Sequence, residues 1–237
     1  KDRRCTSKNL EFKKGNTSTI LDKILNINRQ NKKLMDIGSL LNNNNWRKNN
    51  DLFEFYIDYE TMNSNFGECK INNNNIGYID NEFIFLIGVG WVKDGSWIFK
   101  DFLCEKKDIE SEVKMIKSFW KYINNILEKS GKKKSIFYHW TRAEPINYKK
   151  LLERHSLKLP EKNFYDLYSL FKNNKIVVKG ALNYSLKSIA KAMMNNNLIK
   201  TSWDENNPCS NGLKAMLLAY NIYKKNVATC FARGYSR

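Results

Sequence analysis

Histidine is nearly absent from this chain, 2 residues in 237, and its five cysteines, Cys5, Cys69, Cys104, Cys209 and Cys230, stand far apart with no C-x-x-C spacing. Zinc sites draw on His and Cys in close pairs, so the solitary His139 and His155 argue against a zinc or iron-sulfur scaffold. An odd cysteine number also argues against a closed disulfide framework, and the thiols are read as reduced. No apolar run approaches the length of a membrane span. Lys1-Asp2-Arg3-Arg4 is not followed by a signal-peptide hydrophobic stretch. The expectation is a soluble, intracellular protein with no membrane partner. Glycine never falls into G-x-G-x-x-G; the lone pair Gly88-x-Gly90 lies inside an apolar stretch, where it reads as a device for close strand packing rather than a nucleotide cradle.

Acidic residues are also short. Lys+Arg number 41 against 24 Asp+Glu, a net charge of +17, while 42% hydrophobic and 13% aromatic residues suffice for a real core. A basic surface attracts phosphate backbones whatever their sequence, which makes nucleic acid, DNA or RNA, the expected partner. Lysine is accompanied by heavy Asn and Ile usage, including Asn42 to Asn45, Asn72 to Asn75 and Asn195 to Asn197. That bias is also what an AT-rich genome, cytoplasmic or viral in setting, would produce.

Residues 1–50 hold one short helical pattern, Ile20, Ile24, Leu25 and Ile27, and then a polar stretch. They are read as an N-terminal flanking segment, the end of a preceding domain in a longer parent protein, with 51–237 as the main domain. From Asp51 the texture changes. Phe53, Phe55, Ile57 and Tyr59 alternate with Glu54, Tyr56, Asp58 and Glu60, the period-two mark of a strand with distinct faces. Phe83 to Val92 reads as a buried strand, and Asp94-Gly95 as a hairpin turn before a third strand, Trp97 to Leu103. A helix from about Asp108 to Lys129 carries Ile109, Val113, Ile116, Trp120, Ile123 and Leu127 at three- and four-residue steps, with Gly131 as its stop. Ser135 to Trp140 is a fourth strand, and Pro145 opens a further helix to His155. An extended Phe164 to Leu170, a short Ile176 to Val178 and helices from Ser185 to about Met194 and from Gly212 to about Lys225 complete a βββαβα order. The fold class is α/β, a mixed sheet of three antiparallel strands followed by parallel ones, flanked by helices.

Asp58 and Glu60 emerge on one face of the first strand, roughly 6 to 7 Å apart. Two carboxylates that close repel each other unless a cation lies between them. Oxygen ligands suit magnesium or manganese, and a pair of such ions is the usual machinery for cleaving a phosphodiester. Glu144 adds a third acid just past the fourth strand, at the mouth of a helix whose N-terminus also favours its charge.

Five segments then resemble, in order and spacing, the RNase H-like nuclease domain of the YprB and RecB-associated kind, which belongs with the DEDD 3'-5' exonucleases: Phe55-Tyr56-Ile57-Asp58-Tyr59-Glu60-Thr61, Phe85 to Val89, Tyr138-His139-Trp140-Thr141-Arg142-Ala143-Glu144-Pro145, Phe164 to Leu167 and Tyr184 to Lys187. The resemblance covers roughly residues 53–225. It implies an RNase H-like fold and a site for two magnesium or manganese ions, with Asp58, Glu60 and Glu144 as catalytic metal ligands. Asp166 and His139 would lie one layer behind them. The implied activity is phosphodiester hydrolysis, as a 3'-5' exonuclease of the kind used in DNA repair. The resemblance departs at the end: no Asp or Glu follows Glu205, so the late-helix acid of such enzymes is lacking. The alternative is therefore a catalytically impaired relative, a nucleic-acid-binding or scaffolding domain of a larger helicase-nuclease or repair protein.

Two other features bear on nucleic acid. Lys132, Lys133 and Lys134 form a basic loop read as guiding a phosphate backbone near the acids. Tyr59, Trp140 and Tyr184 are the aromatics considered for stacking on unpaired bases.

Overall fold

The computed structural model describes residues 16–29, 33–42, 49–62, 83–159, 163–200 and 212–234. In chain order the elements are α1 (Asn16–Arg29), β1 (Met35–Asp36), β2 (Leu52–Met62), β3 (Phe83–Lys93), β4 (Ser96–Leu103), α2 (Ile109–Ser130), β5 (Lys134–His139), α3 (Ala143–His155), β6 (Phe164–Asp166), α4 (Leu167–Asn173), β7 (Val177–Val178), α5 (Leu186–Asn195) and α6 (Gly212–Gly234). The chain divides into two compact units, one of residues 1–48 with 166–204, the other of 49–165 with 205–237. Among the described residues no helix is long and apolar enough to cross a membrane.

The larger unit is built on a mixed sheet in the order β4-β3-β2-β5-β6. β2 runs antiparallel to β3 and parallel to β5, and β3 runs antiparallel to β4. The hairpin between β3 and β4 turns on Asp94 and Gly95, both with positive φ (49° and 78°), the type I′ combination that matches strand twist. One face of the sheet carries Phe55, Ile57 and Tyr59 of β2, with Phe85, Ile87, Val89 and Trp91 of β3 and Phe137 of β5. Against it pack Met115, Ile116, Phe119, Trp120 and Ile123 of α2, Tyr148 and Leu151 of α3, and Ala215, Ala219 and Tyr223 of α6. The small alanines let α6 approach β2 closely, and the Tyr223 hydroxyl donates to the Cys104 carbonyl at 2.6 Å, tying that helix to the end of β4.

α2 shows how local chemistry sets the element boundaries. Asp108 accepts from Ser111 N at 2.7 Å as N-cap, and Gly131 closes the helix in the left-handed region. On its buried face sits one charged residue, Glu112. Its Oε1 accepts from Ile84 N at 3.0 Å and Arg154 Nη2 at 2.8 Å; its Oε2 accepts from Arg154 Nε at 3.1 Å and faces His155 Nε2. This fully buried carboxylate joins α2, β3 and the C-terminal end of α3.

In the smaller unit β1 and β7 pair antiparallel, Met35 opposite Val178 and Asp36 opposite Val177. α1 lays Ile24 and Ile27 against Val177. The backbone of Gly38 has a φ of +57°, and a Cβ there would come within 1.7 Å of the Asn174 carbonyl oxygen. Neither backbone can yield without losing the Ser39 N to Asn174 O hydrogen bond at 3.0 Å. Gly38→Ala is therefore expected to cost more than the roughly 1 kcal/mol of an unfavourable φ alone. Limited proteolysis should show faster cleavage in 1–48 or 166–204; unchanged protection of both segments would contradict this packing.

Two expectations change. Phe164 to Leu170 is not extended throughout: Asp166 ends β6 and caps α4, accepting from Tyr168 N at 2.9 Å and from the Ser169 hydroxyl at 2.5 Å. The last helix runs beyond Lys225 to Gly234. Cys104 is buried, its Sγ donating to the Lys106 carbonyl at 3.0 Å, and burial pushes its thiol far above the usual range, consistent with a reduced structural cysteine. Cys5, Cys69 and Cys209 lie outside the described residues.

Candidate functional site

β2 is the central strand, and its C-terminal half carries the first two candidate acids. Asp58 pairs with Gly88 and Glu60 with Leu86, and the period of two puts both on the side opposite Phe55, Ile57 and Tyr59. Asp58 is exposed and Glu60 half-buried. The register shifts between Glu60 and Thr61, a bulge of the kind that re-aims side chains at the ends of strands. A Cβ at Gly212 would stand 3.2 Å from Glu60 Oε2, so the first residue of α6 lies against this carboxylate, where the helix dipole favours negative charge.

Glu144 occupies a different environment. It lies in the first turn of α3, buried, with its Oε2 3.3 Å from His139 Nδ1 at the end of β5. The approach is an ion-pair contact without hydrogen-bond alignment, and both atoms, together with Asn147 Oδ1, are buried polar atoms with no hydrogen-bond partner among the described residues. Burial, with Tyr148 and Glu144 adding to it, holds the Tyr59 phenol well above its ordinary pKa, which places Glu144 near the side chain that β2 turns toward the helices. Between His139 and Glu144 the chain passes through Thr141 at a φ of 78°. A β-branched residue rarely adopts that conformation, and it costs on the order of 1 to 3 kcal/mol, so the turn from β5 into α3 is strained.

The structure thus sets Asp58 and Glu60 side by side, and pairs Glu144 with His139. Among the described residues no three His, Cys, Asp or Glu side chains converge as a cation site. The donor chemistry still suits a hard divalent cation: the acids offer only oxygens, and one buried Glu144 oxygen has no hydrogen bond among the described residues. Asp166 spends both carboxylate oxygens on the cap of α4.

The basic loop is not where the sequence suggested. β2 and β5 are parallel and Lys134 pairs with Leu52, so the loop sits beside the start of β2, roughly 20 Å along the strand from Asp58. The Lys132 ammonium is engaged by the Asn50 carbonyl, leaving Lys133 and Lys134 exposed. Tyr59 is buried in the core and has no face to offer a base; Trp140 and Tyr184 are half-buried. The aromatics that are exposed on the face of Asp58 are instead Tyr56, Trp97 and Phe99. Their signal in the sequence was the alternation of β4 opposite the glycines of β3.

No curated protein matches the sequence significantly. Residues 77–208 match the RNase H superfamily; the matched stretch contains Glu144, His139 and the basic loop and begins after β2, which bears Asp58 and Glu60. Domains of this superfamily bind and hydrolyse nucleic acids, typically with divalent metal ions. That match spans more than half of the sequence and coincides with a mixed five-stranded sheet flanked by helices, and the chain belongs to the RNase H superfamily.

Proposed function

We propose that this protein is a metal-dependent nuclease that hydrolyses phosphodiester bonds from a 3' end, in the manner of the DEDD exonucleases and their YprB-like relatives. The observation that carries the reading is the pair Asp58 and Glu60 on one face at the C-terminal end of the central strand of an RNase H superfamily sheet. Asp58 and Glu60 would hold magnesium or manganese, with Glu144 as the third acid. Bound there, such ions supply an activated water and charge stabilisation for the departing oxygen. The chain's own contribution is to hold two carboxylates on one face of the strand. His139 is a positioning residue, its ring against the Glu144 carboxylate. The net charge of +17 brings phosphate backbones to the surface.

The test is incubation of the full chain with a 3'-labelled single-stranded oligonucleotide in magnesium, in manganese and in EDTA. Shortening from the labelled end that EDTA abolishes is the expected result. Intact substrate in both metals would sink the reading. It would favour a second one, a nucleic-acid-binding or scaffolding domain, whose supporting observation is the burial of Glu144 against His139.

A further inference from the structure

The face of the sheet that carries Asp58 also carries a row of aromatic rings. On β4, Trp97 is 56% exposed and Phe99 61%; on β2, Tyr56 is 36% exposed. Trp97 meets Tyr56 with ring centroids 5.4 Å apart, Tyr56 meets Tyr138 of β5 at 5.2 Å, and Tyr138 meets Tyr165 of β6 at 5.6 Å. The row therefore crosses the sheet from edge to edge, perpendicular to the strands.

Two glycines of β3 make it possible. A Cβ at Gly90 would stand 2.0 Å from Trp97 Cζ2, and one at Gly88 would stand 3.3 Å from the Phe99 ring. Gly90 pairs with Tyr56 and Gly88 with Asp58, so each indole or phenyl ring lies over β3 and reaches toward β2. Phe99 ends beside the strand position of Asp58. Large rings left open on a sheet face expose apolar area that a soluble domain ordinarily covers. Beyond the row, at the start of β5, stand the exposed Lys133 and Lys134, with Lys134 on the same period-two side as Tyr138.

Cations at one end, stacked rings in the middle and carboxylates at the other end match the parts of one kind of ligand. We propose that Trp97, Phe99 and Tyr56 form a stacking platform for the unpaired bases of a nucleic-acid strand, with Lys133 and Lys134 on its phosphates and its end directed to Asp58. The proposal rests on the nuclease reading above and names its substrate as single-stranded. Base stacking on aromatic rings is indifferent to sequence, because every base has a π face, so the platform would select for lack of pairing rather than for bases.

Binding is measured by fluorescence anisotropy with the full chain in EDTA, using labelled oligothymidylate and a mixed-sequence duplex. Trp97→Ala with Phe99→Ala is expected to weaken single-strand binding about tenfold or more and to leave duplex binding unchanged. Trp97→Phe, which keeps a ring, should stay within about twofold of the parent. Gly90→Ala keeps every ring but displaces the indole, and should weaken single-strand binding as well. Circular dichroism and thermal melting show that each variant is folded. Equal loss of single-strand and duplex binding, or no loss at all, overturns the platform; so does capture of neither ligand by the parent chain. Failure of the platform with cleavage intact would leave the nuclease reading standing, whereas loss of cleavage chemistry with stacking intact would do the reverse.

Discussion

Asp58→Asn is expected to lower metal-dependent cleavage by about 100-fold or more while leaving the fold intact. The size follows from what the carboxylate is asked to do under the proposed function. Charge stabilisation by a bound metal supplies several kcal/mol, and each 1.4 kcal/mol is about a factor of ten in rate. Asparagine keeps the shape of the side chain and one oxygen but removes the charge that attracts a divalent ion. The structural cost is small because Asp58 is exposed and its strand partner is a glycine, Gly88. Substitutions at such surface positions usually change stability by less than about 0.5 kcal/mol. Initial rates on a single-stranded oligonucleotide, with an unchanged melting temperature as the control, decide the matter. A variant as active as its parent would remove Asp58 from the chemistry and with it the reading of β2 as the catalytic strand.

The second large effect concerns stability. Glu112→Ala removes the buried carboxylate that the Arg154 guanidinium meets through two nitrogens, and strips Ile84 N of its acceptor. Breaking a buried pair by removing one partner costs about 3 to 5 kcal/mol. Against a total of about 5 to 15 kcal/mol for an ordinary domain, that is a large fraction. Urea unfolding followed by the fluorescence of Trp91 and Trp120, both in the core around α2, should show the midpoint fall. A loss below about 1 kcal/mol would mean that the contacts to Glu112 contribute little. Replacing both Glu112 and Arg154 by leucine should recover much of the loss, since no uncompensated charge then remains. The hub anchors the C-terminal end of α3, and Glu144 sits about 15 Å away at the other end of the same helix. A partial loss of cleavage in the folded Glu112 variants would reflect tilting of that helix.

Much of the larger unit was legible in the sequence. β2 is readable because Phe55, Ile57 and Tyr59 alternate with charged and polar neighbours, and α2 because its apolar stripe is bracketed by Asp108 and Gly131. The pairing of Asp58 with Glu60 follows from the same alternation. What the sequence hides is direction and distance. The parallel run of β2 and β5 carries the lysine loop away from the acids, and nothing in Lys132 to Lys134 encodes that. Glu144 reads as a helix-mouth acid, yet only the fold reveals that it is buried against His139. Glu112 left a trace, a carboxylate at position i−4 from Ile116 on the apolar stripe, but its partners lie about forty residues later in α3. The two-residue strands β1 and β7 are too short for any periodicity to register.

That last pairing has a consequence for how the chain is made. Met35 and Val178 sit opposite each other, although nearly the whole of the larger unit's sheet lies between them in sequence. At a synthesis rate of about 5 to 20 residues per second, the partner strand emerges from the ribosome roughly seven to thirty seconds after β1. Through that interval the isoleucines of α1, Ile24 and Ile27, have no Val177 to rest against. The strands β2, β3, β4 and β5, by contrast, are contiguous in the sequence and can assemble as they emerge. The nascent protein therefore carries an early amphipathic helix whose isoleucines gain their partner only when a late strand arrives.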